Sequence, residues 1–285
     1  MPAIAALLPC GTRLHLQHGP IDLIIGAVGE RQTAFAAAKK RFTGLLEELV
    51  AELPALRAEM TPATPRPNGE VALRMDAAVR PCCDEGFVTR MAAVAGGVAD
   101  TVLAAMLAAA DLDKAYVNNG GDIALHLTRG QRFSMAMAGH DGNDLGRIVI
   151  GYDDPIRGIA TSGRHGRSLS LGIADSVTVL ARNAATADVA ATLIANAVDL
   201  PRHSAITRVP ANTLDADSDL GDLPVVTRCA RLAPEDRIRA LHAGKRRAQE
   251  LLTRDLITGA AIFLQGDSVA TFAPDTLSQR MPEHA

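Results

Sequence analysis

Three short segments of the sequence carry groups that could bind a phosphate or a metal ion. The first is Asn118-Asn119-Gly120-Gly121-Asp122, which lies between two apolar runs. Its two glycines permit positive φ and close approach of a ligand, and successive N–H groups in such a turn can cradle an anion. Composition alone favours a plain turn, because turns prefer Asn, Gly and Asp.

The second segment is Thr161-Ser162-Gly163-Arg164-His165-Gly166-Arg167, which follows a run with the character of a strand. Its hydroxyl and N–H groups could bind phosphate oxygens, and the guanidinium of Arg164 or of Arg167 could offset their charge. A solvated surface loop is the plainer interpretation. His165 has no acidic or nucleophilic partner visible in the sequence, so no catalytic triad is predicted.

The third segment is the pair Asp188 and Thr192, on a predicted helix that begins near Thr186. Residues four apart share one face of a helix. A carboxylate and a hydroxyl suit Mg²⁺, which takes few protein ligands and completes its shell with water and substrate phosphates. The structural alternative is an acid that complements the helix dipole, followed by a threonine buried in an alanine-rich stripe.

Apolar periodicity and turn residues predict the elements that position these segments. Helices are expected at 30–60 (bent or ended by Pro54), 88–111, 184–198 and 234–252. Strands are expected within 3–9 and 14–28, and at 115–118, 123–127, 135–138, 147–152, 158–161, 176–181, 260–264 and 268–272. Because strand and helix clusters do not alternate strictly, we expect an α+β fold, not a doubly wound parallel sheet.

The chain is expected to form a single domain over 1–285, with two closely packed halves and a flexible tail at 275–285. The proline-rich stretch 61–70 is interpreted as a surface loop inside that domain. The predicted helix 88–111 is apolar almost all round and should be buried. Within it, Gly97 indicates close helix packing, and Gly96 fits either packing or the approach of a ligand.

Composition excludes some partners and indicates a compartment. The hydrophobic fraction is 48%, but aromatic residues make up only 3% and Trp is absent, so no stacking platform for single-stranded nucleic acid is expected. The net charge is −3 and no stretch of the chain is rich in Lys and Arg, so no nucleic-acid binding surface is expected. The apolar N-terminus is too short for a signal peptide or membrane span, which predicts a cytoplasmic protein without membrane contact. Reduced thiols are expected at Cys10, Cys82, Cys83 and Cys229.

Taken together, the order of these segments resembles the ApbE flavin-transferase superfamily. Residues 92–123 are similar to its helix, strand and GGDI turn, and 160–163 to its ATSG loop. Residues 175–179 and 187–192 are similar to its SVTV strand and to the helix with the pattern AD-x-x-x-T. The similarity extends over 88–200, and the combination is far more specific than any one piece.

The resemblance implies a T-fold-like architecture of mixed, mainly antiparallel sheets packed with long helices. Members of the superfamily bind FAD and Mg²⁺, split the pyrophosphate and attach FMN to a threonine of an acceptor protein. By this resemblance, Asp188 and Thr192 would be Mg²⁺ ligands. The nucleotide would lie against residues 118–122 and 161–164. Exposed strand edges in such a fold make a homodimer an expectation.

The sequence also departs from the superfamily pattern. Its helix usually carries Lys before the glycine that matches Gly97, but this chain has Gly96, and the His-containing hairpin after ATSG is missing. The chain therefore resembles a cytoplasmic branch for which motifs establish no activity. Two functions stand level: an Mg²⁺-dependent FMN transferase, or a repurposed relative that binds a ligand or serves as a partner in sulfur or thiol metabolism. A third alternative, a different enzyme that uses Cys82 and Cys83, rests on that dicysteine alone, and two buried thiols are the plainer interpretation.

Overall fold

The computed structural model describes residues 3–84, 86–138, 142 and 144–272, so the predicted flexible tail lies outside the described residues. The chain divides into two compact units, each assembled from separate stretches of sequence. The first unit comprises Met1–Ser134, Val149–Ala160 and Arg182–Val189. The second comprises Met135–Ile148, Thr161–Ala181 and Ala190–Ala285. The expectation of a single domain stays a prediction.

The first unit is built on an antiparallel sheet with the strand order β1-β2-β3-β4-β5-β8. Alternation along β2 buries Leu14 and Leu16, while the half-buried His15 between them lies on the other face, as a strand with one covered face requires. The predicted strand and hairpin within 3–9 and 14–28 are confirmed. The strands are β1 (Ile4–Leu7), β2 (Arg13–His18), β3 (Ile21–Gly29), β4 (Leu112–Asn119), β5 (Asp122–Leu127) and β8 (Gly158–Ser162).

The prediction of one helix over 30–60 is wrong, because the chain breaks there twice. Gly44 adopts a left-handed conformation with φ of 80°, which ends the first segment, and a second break falls at Glu52. Pro54 lies in the first turn of the third segment, where its missing N–H costs nothing. The apolar spacing continues through both breaks, so periodicity alone did not reveal them. The three helices are α1 (Arg31–Phe42), α2 (Leu45–Ala51) and α3 (Leu53–Arg57).

Helix α4 (Glu70–Val79) was missed, because its start carries no side-chain cap of its own. Gly69 stands at the cap position. The carboxylate of Glu52 instead accepts the Gly69 N–H at 2.6 Å, and Glu48 accepts the Val71 N–H at 3.1 Å. A short 3-10 turn at Arg90–Ala93 then leads into the buried helix α5 (Val94–Ala109), which confirms the prediction for 88–111.

The second unit contains a sheet with the order β9-β12-β13, again antiparallel. Its strands are β9 (Ser176–Ala181), β12 (Gly259–Leu264) and β13 (Asp267–Phe272), and its long helix is α7 (Pro234–Thr253), all as predicted. A separate pair, β10 (Ile206–Pro210) and β11 (Pro224–Cys229), was missed because both strands are largely exposed and lack apolar alternation. The strands β6 (Arg132–Ala138) and β7 (Asp144–Gly151) form a further two-stranded sheet.

Helix α6 (Ala184–Ala197) begins in the first unit and continues into the second. Its apolar stripe is made of small side chains such as Ala187 and Ala191, both fully buried. The core consists mainly of aliphatic side chains. By length and composition the helical run Arg90–Ala109 could cross a membrane, but half of it is buried as in a core helix, so this evidence is weak. The expected α+β class with mainly antiparallel sheets is confirmed.

Candidate functional site

At the start of each of the helices α5 and α6, backbone N–H groups donate to a carboxylate of the other helix. Asp188, on α6, accepts the N–H of Gly96 on its Oδ2 at 3.0 Å. In return Asp100, on α5, accepts the Ala184 N–H on Oδ1 at 3.1 Å and the Ala185 N–H on Oδ2 at 2.9 Å. The first N–H groups of a helix have no partner within the helix. Each helix therefore satisfies the donors of the other with a negative charge, which also complements the helix dipole.

This exchange requires glycine at position 96. A Cβ there would lie 2.3 Å from the Ala184 carbonyl oxygen and 2.6 Å from the Ala185 nitrogen, both backbone atoms. At Gly97 a Cβ would meet only the flexible Met75 side chain, at 3.1 Å. Packing explains both glycines, and the approach of a ligand is not needed for Gly96. The lysine that the superfamily usually carries at this position has no room in this chain.

The Asn118–Asp122 segment forms the tight turn between β4 and β5. Asn119 pairs with Asp122, so Gly120 and Gly121 form a two-residue loop with φ of 66° and 118°. Positive φ at both central residues is the requirement of a type I′ hairpin turn, which glycine meets without strain. The Asn118 side chain accepts the Gly121 N–H at 2.8 Å and so holds the turn closed.

Asn119 anchors this turn to the start of α5. Its side chain is 3% exposed, and its Nδ2 donates to the Ala95 carbonyl oxygen at 3.1 Å. Its Oδ1 accepts the Asp22 N–H at 3.4 Å. The turn therefore delivers the largely buried Asp122 to the place where Asp188 meets α5. Asn119 acts on neighbouring backbone, a structural role that the sequence did not reveal.

The carboxylates of Asp188 and Asp100 are shielded from water, and this burial raises their pKa values. Burial raises the pKa of Asp188 well above its ordinary value, and the charge of Asp122 raises it further, while the N–H groups of Gly96 and Ala95 oppose the rise. Burial also raises the pKa of Asp100, opposed by the N–H groups of α6. Within the described part of the chain, no Lys or Arg forms an ion pair with Asp188. A proton or a metal cation would each offset this concentration of negative charge.

The second segment has partners of its own in the second unit. The Thr161 hydroxyl lies 3.1 Å from that of Thr178. Arg164 donates from Nε and Nη2 to one oxygen of Asp175, at 2.9 and 2.6 Å. His165 Nε2 lies 3.3 Å from the same oxygen. The statement that His165 lacks an acidic partner is therefore wrong, because the chain between them folds back over ten residues.

The structure brings together only some of the predicted site residues. Asn119 and Asp122 lie close to Asp188 at the start of α5 in the first unit. Asp100, which no sequence motif indicated, caps the start of α6 in the same unit. Residues 161–164 and Thr192 belong to the second unit, with Thr192 half-buried one turn beyond Asp188 on α6. That all of them line one nucleotide site stays a prediction.

The oxygen donors of Asp188 and Thr192 fit Mg²⁺, a hard cation that needs few protein ligands. Among the described residues, no group of three or more His, Cys, Asp or Glu side chains is arranged to hold a metal. The four cysteines are free thiols, and Cys82 and Cys83 are buried. Exposed Cys10 has its pKa lowered to about 6 by hydrogen bonds from Arg13 and then Thr12.

Comparison with known proteins assigns the family. The model of the family described as "AbpE bacteria" matches residues 5–270. A UPF0280 protein of Methanopyrus kandleri is 34% identical over 212 residues, which cover 73% of this chain and 83% of that protein. A UPF0280 protein of Methanosphaerula palustris is 34% identical over 190 residues, covering 65% and 77%. The chain belongs to the AbpE bacteria family and is an ApbE-like superfamily member.

Two solved structures are also similar. The apo form of the flavinyl transferase ApbE of Pseudomonas stutzeri shares 12% identity at a TM-score of 0.49, over 100% of this chain and 99% of that one. The flavin transferase ApbE of Vibrio cholerae shares 13% at a TM-score of 0.42, over 97% and 99%. At these scores the fold assignment depends on the observed strand pairing and the family match.

Proposed function

We propose that this chain is an Mg²⁺-dependent flavin transferase relative that binds FAD through its pyrophosphate. The observation that carries the proposal is the half-buried Asp188 carboxylate, held by the N-terminus of α5 and facing the charge of Asp122. A divalent cation would offset both negative charges in a place from which water is largely removed. The family membership supports flavin chemistry over other uses of a cation.

The predicted site residues then have defined tasks. Asp188 and, one turn later, Thr192 would hold the cation, which would offset charge on the pyrophosphate oxygens. The Gly120 N–H would donate to a phosphate oxygen, and the Gly121 N–H would be shared between that phosphate and Asn118 Oδ1, which accepts it at 2.8 Å. A Cβ at Gly121 would meet nothing within 4 Å, so a ligand has free access to that side of the backbone.

The proposed reaction joins the phosphorus of FMN to a threonine oxygen of an acceptor protein. The bond from that phosphorus to the AMP oxygen breaks, AMP leaves, and the threonine hydroxyl loses its proton. The AMP oxygen that leaves takes up this proton, so the step balances. In the second unit Arg164 shares the charge of Asp175. Its predicted role at a phosphate would need that ion pair to open or to accept a further partner.

Calorimetric titration with FAD, FMN and ATP, each with and without Mg²⁺, tests the proposal. We expect FAD to bind only with Mg²⁺ present, and Asp188→Ala to weaken binding at least about tenfold, as loss of a metal contact does. Asp236→Asn is the control. Asp236 lies on α7 and pairs with His203 and Arg239, so its loss removes a carboxylate outside the proposed site. Absence of binding by all three ligands, or FAD binding indifferent to Mg²⁺ and to Asp188, would refute the proposal.

A second candidate is a repurposed relative that binds the nucleotide but no longer transfers FMN. The observation in its favour is position 96, where the packing of α5 against Ala184 leaves no room for the lysine usual in the superfamily. Incubation with FAD, Mg²⁺ and a threonine-containing acceptor separates the two. An acceptor mass increase equal to FMN less one water, with release of AMP, supports the transferase. Binding without transfer supports the second candidate.

We also propose a cytoplasmic location and self-association. Free thiols at all four cysteines support a reducing compartment. All four residues of β1 are exposed at the edge of the first unit's sheet, an arrangement suited to pairing with another strand. Fractionation of the source cells tests the first point, and sedimentation of Ile4→Lys against the native chain tests the second.

A further inference from the structure

Asp100 makes two charge-assisted hydrogen bonds that the proposed chemistry does not use. Both of its oxygens accept N–H groups from the first turn of α6, those of Ala184 and Ala185. Asn183 already accepts the Thr186 N–H at 2.8 Å, so this helix start has a neutral cap as well. A second, charged cap on the same turn indicates that its exact placement matters beyond closing the helix.

The contacts between α5 and α6 form a closed ring. Asp100 extends from α5 to the start of α6, and Asp188 extends from the next turn of α6 back to Gly96 on α5. The Cβ-free surface of Gly96 lets the two backbones touch within this ring. With both links made, the first two turns of α6 can neither slide along α5 nor rotate, because either motion would break hydrogen bonds to a carboxylate.

We infer that Asp100 is a positioning residue that holds the first turn of α6 so that the Asp188 carboxylate is presented to a divalent cation. The inference rests on the proposed function, since it concerns the same metal ligand. Partners that orient a metal ligand are worth about 10- to 100-fold in metal affinity when removed. Asp100 is not expected to touch the cation or the nucleotide.

The chain offers a matched control for the loss of a carboxylate cap. Glu52 accepts the N–H groups of Asn68 at 2.8 Å and Gly69 at 2.6 Å, at the start of α4 in the same unit. Glu52→Ala therefore removes the same chemistry, two backbone donors on one carboxylate, from a helix that carries no proposed metal ligand. Asp100→Ala and Asp100→Asn are the test variants, and the amide of Asn retains one accepting oxygen.

The experiment measures Mn²⁺ affinity by electron paramagnetic resonance, with Mg²⁺ as competitor, together with amide hydrogen exchange and melting temperature. We expect Asp100→Ala to weaken Mn²⁺ binding about tenfold or more, with Asp100→Asn between it and the native chain. Glu52→Ala should lower the melting temperature similarly but leave Mn²⁺ affinity within about twofold of native. Exchange should quicken in Asp100→Ala at residues 184–188 and at the start of α5.

Each outcome separates this inference from the proposed function. Native Mn²⁺ affinity in Asp100→Ala, alongside lost affinity in Asp188→Ala, would overturn the positioning role and leave the metal site standing. An equal loss in Glu52→Ala would also overturn it, because the effect would then be general destabilisation. If the native chain binds no Mn²⁺, the proposed function fails. Unchanged exchange at 184–188 in Asp100→Ala would then overturn the positioning of α6 as well, and quickened exchange there would support it.

Discussion

Two carboxylate centres in the first unit solve the problem of a buried negative charge in opposite ways. In the arginine-paired centre, Asp76 is 2% exposed and accepts hydrogen bonds from Arg80 and from Arg90, which is itself 1% exposed. In the helix-exchange centre, Asp100 and Asp188 accept backbone N–H groups, and Asp122 adds a further negative charge. The first centre carries its own cations, and the second does not supply one to Asp188.

The pKa values follow from this difference. Burial alone would raise the pKa of Asp76, but hydrogen bonds from Arg80 and Arg90 outweigh it and hold the value below its usual range. Burial and a neighbouring carboxylate leave the pKa of Asp188 raised. A surface pocket lined by Arg66, Leu73 and Arg80 opens at the arginine-paired centre, so the shape of the surface favours ligand binding there. The charge of the helix-exchange centre is the one that favours a metal cation. The proposed metal site is therefore the helix-exchange centre, because an already neutralised carboxylate has little to offer a metal.

The largest effect is expected from breaking the arginine-paired centre. Asp76→Ala leaves Arg90 buried without its carboxylate, which should lower the free energy of unfolding by about 3–5 kcal/mol. Urea denaturation measures the loss. The control is Arg239→Ala, which removes an ion pair from a side chain that is 66% exposed and should cost about 0–1 kcal/mol. Equal losses in the two variants would contradict the structural role of Asp76.

The same centre predicts a pH dependence. Because the pKa of Asp76 is lower in the folded chain than in the unfolded one, its stabilisation is fully present above the unfolded value of about 4. It is lost as pH falls from there through the folded pKa. The stability difference between the native chain and Asp76→Ala should therefore be constant near neutral pH and shrink in acid. A difference that grew on acidification would have the wrong sign.

The response to Mg²⁺ should distinguish the second centre from the first. Saturating Mg²⁺ at 100 times its dissociation constant should stabilise the native chain by about 2.7 kcal/mol. Asp188→Asn keeps an oxygen for the Gly96 N–H but loses the charge, so it should fold without Mg²⁺ and gain little from it. Melting curves with and without the metal measure both effects. An Mg²⁺ gain in Asp188→Asn equal to the native one would remove the functional contrast between the centres.

A smaller effect is expected at the contact between the two helices. Gly96→Ala forces a Cβ against the backbone of Ala184, at a cost of about 1–3 kcal/mol and with weaker Mg²⁺ binding. Gly97→Ala meets only Met75 and should be near neutral, since the higher helix propensity of Ala offsets the contact. Denaturation of both variants is the measurement. If Gly97→Ala proved the more damaging of the two, the close crossing of α5 and α6 would be refuted.

The smallest effect concerns the turn that carries Asp122. Asn118→Ala removes the acceptor for the Gly121 N–H and should cost about 1 kcal/mol. Because the turn delivers Asp122 to the helix-exchange centre, the Mg²⁺ response should weaken with it. Asn212→Ala, which removes an exposed side-chain bond to Asp222 in the second unit, is the control and should leave the response unchanged. An Mg²⁺ response in Asn118→Ala equal to the native one would show that the turn does not contribute to metal binding.

Much of the fold could be predicted because it depends on residue types that lie close together in the sequence. The buried helix α5, the β12–β13 hairpin and the Asn118–Asp122 turn each follow from residue spacing or from glycines within a few positions. The prediction failed where residue spacing and local capping residues did not mark the start or end of a helix. The breaks at Gly44 and Glu52 keep the apolar face of the helix. Helix α4 takes its caps from Glu52 and Glu48, which lie 17 and 23 residues before the N–H groups that they accept.

The sequence by itself determined the turn, the acidic start of α6 and the family resemblance, because each depends on residue types close together in the chain. Only the tertiary structure decided that Asp100 caps α6, that Gly96 is required by Ala184, and that Asp175 partners both Arg164 and His165. These pairs are separated along the chain, and Asp188 lies 92 residues from Gly96. Hydrogen bonds and close contacts act over a few ångströms of space, so their partners are set by how the chain folds and not by how far apart they are in sequence.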